Sequence, residues 1–170
     1  MFTFTTALGD CALEWDADGI ARVHMPGSAG ACRPQAPTDV PARVLEAAEL
    51  VTRLLDGEPV DLTGIAVSHE DRVGAFARRV YGATREVGPG ETITYGEIAH
   101  RLDPDAAPGA ARSVGAALGS NPTPIIVPCH RVLAADGSLH GFSAPGGIVT
   151  KRRMLQIEGA PGFAQQALFA

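Results

Sequence analysis

No stretch of the 170 residues approaches the roughly 18 consecutive apolar residues that a helical membrane span needs. The opening Met1-Phe2-Thr3-Phe4 has neither the basic segment nor the apolar stretch of a secretory signal. Cysteine is scarce: Cys11, Cys32 and Cys129 are odd in number and far apart, which fits free thiols in a reducing compartment better than a disulfide framework. A soluble, cytoplasmic protein is expected. With 45% apolar and 19% charged residues the chain can bury a core, and 20 glycines and 13 prolines demand many turns. Its length allows one domain or two small ones and excludes a large multi-domain machine.

The net charge of −5 argues superficially against a nucleic-acid partner, but the charge is unevenly spread. Residues 1–71 carry 4 basic and 12 acidic side chains, a net −8, whereas residues 72–170 carry 10 basic and 7 acidic, a net +3. Only the C-terminal part is suited to a polyanion.

The first 25 residues alternate short apolar stretches with the turn signals Gly9-Asp10 and Asp18-Gly19, which predicts a small antiparallel sheet. After a Pro/Gly-rich passage from Pro26 to Pro41, Val44, Ala48, Val51 and Leu55 fall on one helical stripe ending before Gly57. Val60–Val67 is expected to add a strand. This α+β unit, residues 1–70, shows no convergent chemistry and is expected to be scaffold.

Residues 71–170 have a different texture. Val73, Phe76, Ala77 and Val80 make a helical face that Gly88-Pro89-Gly90 interrupts. Thr94-Tyr95-Gly96-Glu97 has the spacing of a capping box and predicts a short helix through Leu102. A second helix, Gly109–Leu118, follows a turn, and the pair suggests helix-turn-helix. In that second helix Ala110, Ala111, Ser113 and Gly115 leave nearly bare backbone around one long cation, Arg112, which permits close approach to another surface; tight internal packing with Arg112 solvated accounts for the same pattern.

The chemistry concentrates in Asn121-Pro122-Thr123-Pro124-Ile125-Ile126-Val127-Pro128-Cys129-His130-Arg131-Val132. Ile125–Val127 reads as a buried strand, and Pro128 then fixes φ and removes a donor, so Cys129 sits where the chain leaves the core. A thiol is mostly protonated at neutral pH unless a base or cation assists it, and His130 is the nearest candidate. Adjacent side chains of an extended segment point apart, so a bridging water is the expected relay. The far imidazole nitrogen then needs an orienting partner. Glu158 suits that role: Thr150–Glu158 reads as a helix closed by Gly159, with Lys151, Arg152 and Arg153 in its first turn and the acid at its end. Each arrangement opposes the macrodipole by about 0.3–1 kcal/mol, which predicts outside partners, His130 for Glu158 and phosphates for the cations. Asp136-Gly137 is expected to form a hairpin turn, and His140–Gly147 a flexible loop able to close over a bound group.

Pro128-Cys129-His130-Arg131-Val132, preceded by Asn121-Pro122 and followed by Glu158-Gly159, resembles the O6-alkylguanine-DNA alkyltransferase family. The likeness covers about residues 72–160, including Thr94-Tyr95 and Ala111–Gly115. It implies an α+β chain: a small N-terminal ribonuclease-H-like α/β domain (1–70), then a mostly helical, winged-helix-type DNA-binding domain (71–170). It also implies a monomer acting on duplex DNA containing O6-alkylguanine, without a cofactor. Cys129 is then the alkyl acceptor, His130 its base through water, Glu158 the orienter and Asn121 an organiser of the turn. Tyr95 contacts the purine and assists protonation, Ser143 lies near O6, and the Val132 carbonyl accepts from the exocyclic amine, with Leu118 also in the pocket. Arg112 fills the space left by the extruded nucleotide, the small-residue helix with Ala110, Ala111, Ser113 and Gly115 enters the minor groove, and Thr94 and Lys151 also bind DNA.

The chain departs from the commonest pattern in a His140–Gly147 loop longer by about two residues, at a type of site where length varies. It also has Gly119-Ser120 where some relatives carry a second basic residue. Cys11, His24, Cys32 and His69 lack compact zinc-ligand spacing, so no metal is expected. Two other readings compete: a lesion-binding module that flips alkylated bases without accepting the alkyl group, whose known examples lack the acceptor cysteine, and a Cys-His hydrolase turning over repeatedly on an acyl substrate.

Overall fold

A computed structural model of the chain describes residues 1–28, 39–68 and 73–163. Cys32 and His69, two of the residues considered for zinc, lie outside the described residues.

The N-terminal strands β1 (Phe2–Thr6), β2 (Gly9–Trp15) and β3 (Ile20–His24) form the expected antiparallel sheet in the order β1-β2-β3. Helix α1 (Ala42–Leu55) covers it with Val44, Ala47, Ala48, Val51, Leu54 and Leu55 buried, and ends at Asp56 before Gly57, as its stripe predicts. The strand expected over Val60–Val67 does not form. Local turns consume its donors: Val60 N bonds Glu58 O, Thr63 N bonds the Asp61 carboxylate and Ile65 N bonds Leu62 O. Contact with the sheet is confined to the end of the segment, where Ala66 O accepts from Ile20 N and Ser68 N donates to Ile20 O, making an isolated parallel bridge of Val67 with Ile20.

The remaining elements are α2 (Ala75–Arg85), β4 (Ile93–Thr94), α3 (Tyr95–Leu102), α4 (Ala110–Gly119), a 3-10 turn at Cys129–Arg131, β5 (Val132–Leu133) and α5 (Gly147–Ile157). The buried face of α2 is rotated from expectation. Val80, Tyr81 and Thr84 are inside while Phe76 is 44% exposed, because the Tyr81 hydroxyl donates to Ala117 O on α4 at 2.9 Å. The capping box forms as predicted: Thr94 Oγ1 accepts from Glu97 N, and the Glu97 carboxylate accepts from Thr94 N at 2.7 Å. Helix α5 begins three residues earlier than its sequence suggests, at Gly147, so Lys151 to Arg153 fall in its second turn, where the macrodipole acts weakly.

Two apolar clusters meet at the segment leading to Cys129. The first joins sheet and α1 residues such as Leu13, Val23 and Val51, and is completed from the C-terminal part by Ile125, Ile126 and Met154. The second holds Val80, Ile98, Val114, Val127, Cys129 and Val132. Polar contacts join the same regions: Val23 N bonds Pro122 O at 2.9 Å, and Arg85 Nη2 donates to the carbonyls of Leu62, Thr63 and Ile65. Parallel pairing of Ile93 with Val132 then sets the start of α3 beside the strand that follows Cys129.

Replacing Thr94 by Ala removes one half of the capping box and should lower unfolding stability by about 1 kcal/mol. Urea titration checks this as a lower midpoint at unchanged slope.

Candidate active site

Cys129 is held by the turn that precedes it. Ile125, 1% exposed, adopts φ +75, a left-handed conformation that costs a β-branched residue about 1–2 kcal/mol and that only the surrounding packing sustains. Val127 N bonds Thr123 O at 2.9 Å, and Cys129 N bonds Val127 O at 2.8 Å. Asn121 clasps the bend, its Nδ2 donating to Val127 O at 2.9 Å and to Cys129 Sγ at 3.4 Å while its Oδ1 accepts from Thr123 N.

The 3-10 turn brings His130 and Arg131 onto one carboxylate. His130 Nε2 lies 2.8 Å from Glu158 Oε1, with both side chains fully buried. Arg131 makes a two-pronged pair with the same carboxylate, Nε to Oε2 and Nη2 to Oε1, each at 2.9 Å. Gly90 N adds a 3.2 Å bond to Oε2. A glycine is required there: φ is +76, and a Cβ would come within 2.9 Å of the Glu158 carbonyl oxygen.

Burial alone would raise the Glu158 carboxyl, but His130 and Arg131 outweigh it and hold the group at about 2. Burial lowers the His130 imidazole, against the upward pull of Glu158. The ring is therefore neutral at pH 7. Because a carboxylate can only accept, Nε2 carries the proton and Nδ1 keeps its lone pair. Among the described residues Nδ1 has no hydrogen-bond partner.

The Cys129 thiol is pushed up by burial, opposed by the Asn121 hydrogen bond, the Lys151 charge and the amides of Cys129 and His130. It is a protonated thiol at rest, 7% exposed. It lines a cavity of about 640 Å³ with Tyr95, Arg112, Leu118, Phe142 and Ser143, a volume within the range of roughly 300–1,000 Å³ that small-molecule pockets occupy. The site thus presents a nucleophile at the wall of a largely apolar chamber, with an unprotonated base nitrogen on the next residue.

The structure brings most of the expected residues together. Cys129, Tyr95, Leu118, Ser143, Arg112, Ala111 and Gly115 share the cavity, and Asn121, His130 and Glu158 stand behind its thiol. Ala110 and Ser113 are on α4 but not among the cavity residues, and the Thr94 hydroxyl is engaged in its cap. Two expectations need correction. Lys151 does not face phosphates: it is 0% exposed, and its Nζ donates to Val132 O at 2.6 Å and His140 O at 3.2 Å. Val132 is not among the cavity residues, and its carbonyl accepts from that ammonium.

Arg131 was missed as a site residue although it lies inside the motif that carries Cys129 and His130. Its only sequence signal is adjacency, because nothing local reveals that two successive side chains converge on one acid 27 residues away. His140 and Phe142 also line the cavity without a signal beyond their place in the loop.

The model of the 6-O-methylguanine DNA methyltransferase DNA-binding domain matches residues 75–160. The methylated-DNA--protein-cysteine methyltransferase of Mycobacterium tuberculosis (strain ATCC 25618 / H37Rv) is 46% identical over 109 residues, 64% of this chain and 63% of that protein. The chain thus spans less than two thirds of that relative's length in the match. The protein of the same name from Methanothermobacter thermautotrophicus is 31% identical over 150 residues, 88% of this chain and 80% of the relative. Among solved structures, Mycobacterium tuberculosis OGT in complex with DNA matches with a TM-score of 0.74 at 33% identity, covering 95% of this chain and 94% of that one. The O6-methylguanine-DNA methyltransferase of Pyrococcus kodakaraensis strain KOD1 matches at 0.69 and 26% identity, covering 93% and 98%. Together with a cysteine, a histidine and a glutamate joined as described, these matches establish that the chain belongs to the 6-O-methylguanine-DNA methyltransferase family.

Proposed function

We propose that this protein repairs DNA by direct reversal: an O6-alkylguanine leaves the duplex, enters the 640 Å³ cavity and gives its alkyl group irreversibly to Cys129. The observation that carries this reading is a thiol on the wall of a chamber with room for a purine, next to a neutral histidine whose Nδ1 is unengaged among the described residues. Eversion costs a few kcal/mol. Arg112, exposed at the cavity rim on a helix of small residues, offsets that cost by occupying the vacated space.

The thiol proton passes through water to His130 Nδ1, and Glu158 stabilises the imidazolium that results. The thiolate attacks the alkyl carbon, an S–C bond forms, and the C–O6 bond breaks with its electron pair going to the purine. Burial raises the Tyr95 hydroxyl, so it remains a proton donor able to stabilise that charge. Asn121 holds sulfur in line. The product is a thioether with no water-labile bond, so each chain reacts once. Ser143, on the cavity wall, is the donor we place near O6. We take residues 1–70 as a ribonuclease-H-like scaffold and 71–170 as a winged-helix-type DNA-binding unit, working in the cytoplasm as a monomer.

Intact mass after incubation with an O6-methylguanine duplex should rise by one methyl group per chain, located on Cys129, and then stop. Cys129→Ser should abolish the increment and keep DNA binding; an unmodified Cys129 despite tight binding would indicate a lesion-binding module instead. Arg112→Ala should slow repair of duplex DNA more than reaction with free O6-methylguanine, and equal losses would remove the finger role.

The Glu158 carboxyl is near 2 in the fold against 4.5 when unperturbed, so the folded state binds fewer protons between those values. Its stabilisation is complete above pH 4.5 and is lost as pH falls toward 2. Glu158→Gln should destabilise the protein by about 3 kcal/mol, because Arg131 is left buried without its counter-charge. The urea midpoint of this variant should also depend less on pH over the acid range than that of the wild type.

A further inference from the structure

Lys151 is the one lysine in the chain, all 13 other side-chain cations being arginine, and the transfer chemistry above does not use it. We propose that Lys151 sets the width of the base cavity, one ammonium tying the strand that leaves the nucleophile to the loop that forms the facing wall. This rests on reading the cavity as the seat of the everted base.

Its Nζ donates to Val132 O, three residues after Cys129, and to His140 O, where the facing wall of His140, Gly141, Phe142 and Ser143 begins. Between them the chain makes an exposed turn around Asp136 and Gly137, closed by Ala134 N to Ser138 O at 3.1 Å and Gly137 N to Ala134 O at 2.9 Å, bonds that end before the facing wall begins at His140. The second donor to His140 O is the Tyr95 hydroxyl, at 3.2 Å. Tyr95 also offers its ring to the ammonium, 5.7 Å from the centroid. Two carbonyls converging on one point suit a compact ammonium with three tetrahedral donors better than a planar guanidinium fork. The charge is buried at 0% exposure, so these dipoles, the ring face and the neighbouring thiol are what it has in exchange for water.

The titratable groups facing Nζ are Cys129 from the 3-10 turn, His130 beside it and Tyr95 from α3; the loop meets it through the His140 carbonyl, and Arg152 and Arg153 of its own helix are exposed. Burial lowers Lys151 to about 8, so the tie is charged at pH 7 and weakens above pH 8.

The full chain should be compared as wild type, Lys151→Met and Lys151→Arg, all checked for cooperative unfolding. Three readouts serve: single-turnover methyl transfer from an O6-methylguanine duplex, Cys129 alkylation by iodoacetamide, and hydrogen exchange of the 139–147 segment. Lys151→Met should lose transfer by on the order of tenfold to a hundredfold, as misplacement of reacting groups does. It should lose less iodoacetamide reactivity, and exchange faster at 139–147. Lys151→Arg should recover part of the transfer, and the ratio of wild-type to Lys151→Arg rates should fall as pH passes 8, since guanidinium does not titrate there. If Lys151→Met does not fold, Tyr95→Phe tests the same carbonyl and should also speed exchange at 139–147.

Unchanged exchange at 139–147, or equal losses of transfer and iodoacetamide reactivity, would overturn the proposal in favour of a purely electrostatic effect on the thiol. Absence of transfer in the wild type, with exchange still faster in Lys151→Met, would count against the repair reading and leave the tie standing.

Discussion

The buried carboxylate of Glu158 is the group on which the rest of the site depends. A lone carboxylate in that position would be driven toward its neutral form by burial. Here donors from two separate segments converge on it: His130 and Arg131 from the 3-10 turn, and Gly90 from the loop before β4. The same bonds that keep it charged also fasten the C-terminal end of α5 to the turn bearing Cys129. Lys151, seven residues earlier and so on nearly the same face of α5, fastens that helix to Val132 just beyond the turn. One helix therefore grips the nucleophilic turn at two points, with an acid at one and a cation at the other.

This arrangement leaves the resting nucleophile and base uncharged. Burial pushes the thiol up and the imidazole down, so neither is ionised at neutral pH even though they are adjacent in sequence. The imidazole tautomer needed for proton acceptance is imposed by Glu158, which can only accept, so Nδ1 is the free nitrogen.

The nucleophilic segment also holds the two apolar clusters together. Ile125 and Ile126 complete the core beneath the N-terminal sheet, while Val127 and Cys129 belong to the core of the helical part. That change of sides within five residues needs a sharp reversal, which the left-handed Ile125 supplies and Asn121 clasps. Among the described residues the N-terminal unit contributes none to the cavity lining, yet through Ile125, Ile126 and the Val23–Pro122 bond it supports the bend from which the thiol projects.

Local rules were enough for the features whose causes are local. The α1 stripe, the Thr94–Glu97 cap and the Gly159 stop can all be read from spacing, because each is made within one or two turns of chain. Cys129, His130 and Glu158 were also identifiable, the last from a charge placed against its helix dipole. Where partners come from far away, spacing misled. Val60–Val67 has strand composition, but its donors are taken by nearby turns. Lys151 looks like a surface cation in a basic run, but α5 starts earlier and rotates it inward under two carbonyls. Arg131 stands in the motif in plain view, yet its role exists only because Glu158 is brought back across 27 residues. The sequence by itself determined which reactive side chains the chain offers, since reactivity belongs to side-chain type. Tertiary structure alone decided which charges are buried and what each one holds, since that depends on packing between segments remote along the chain.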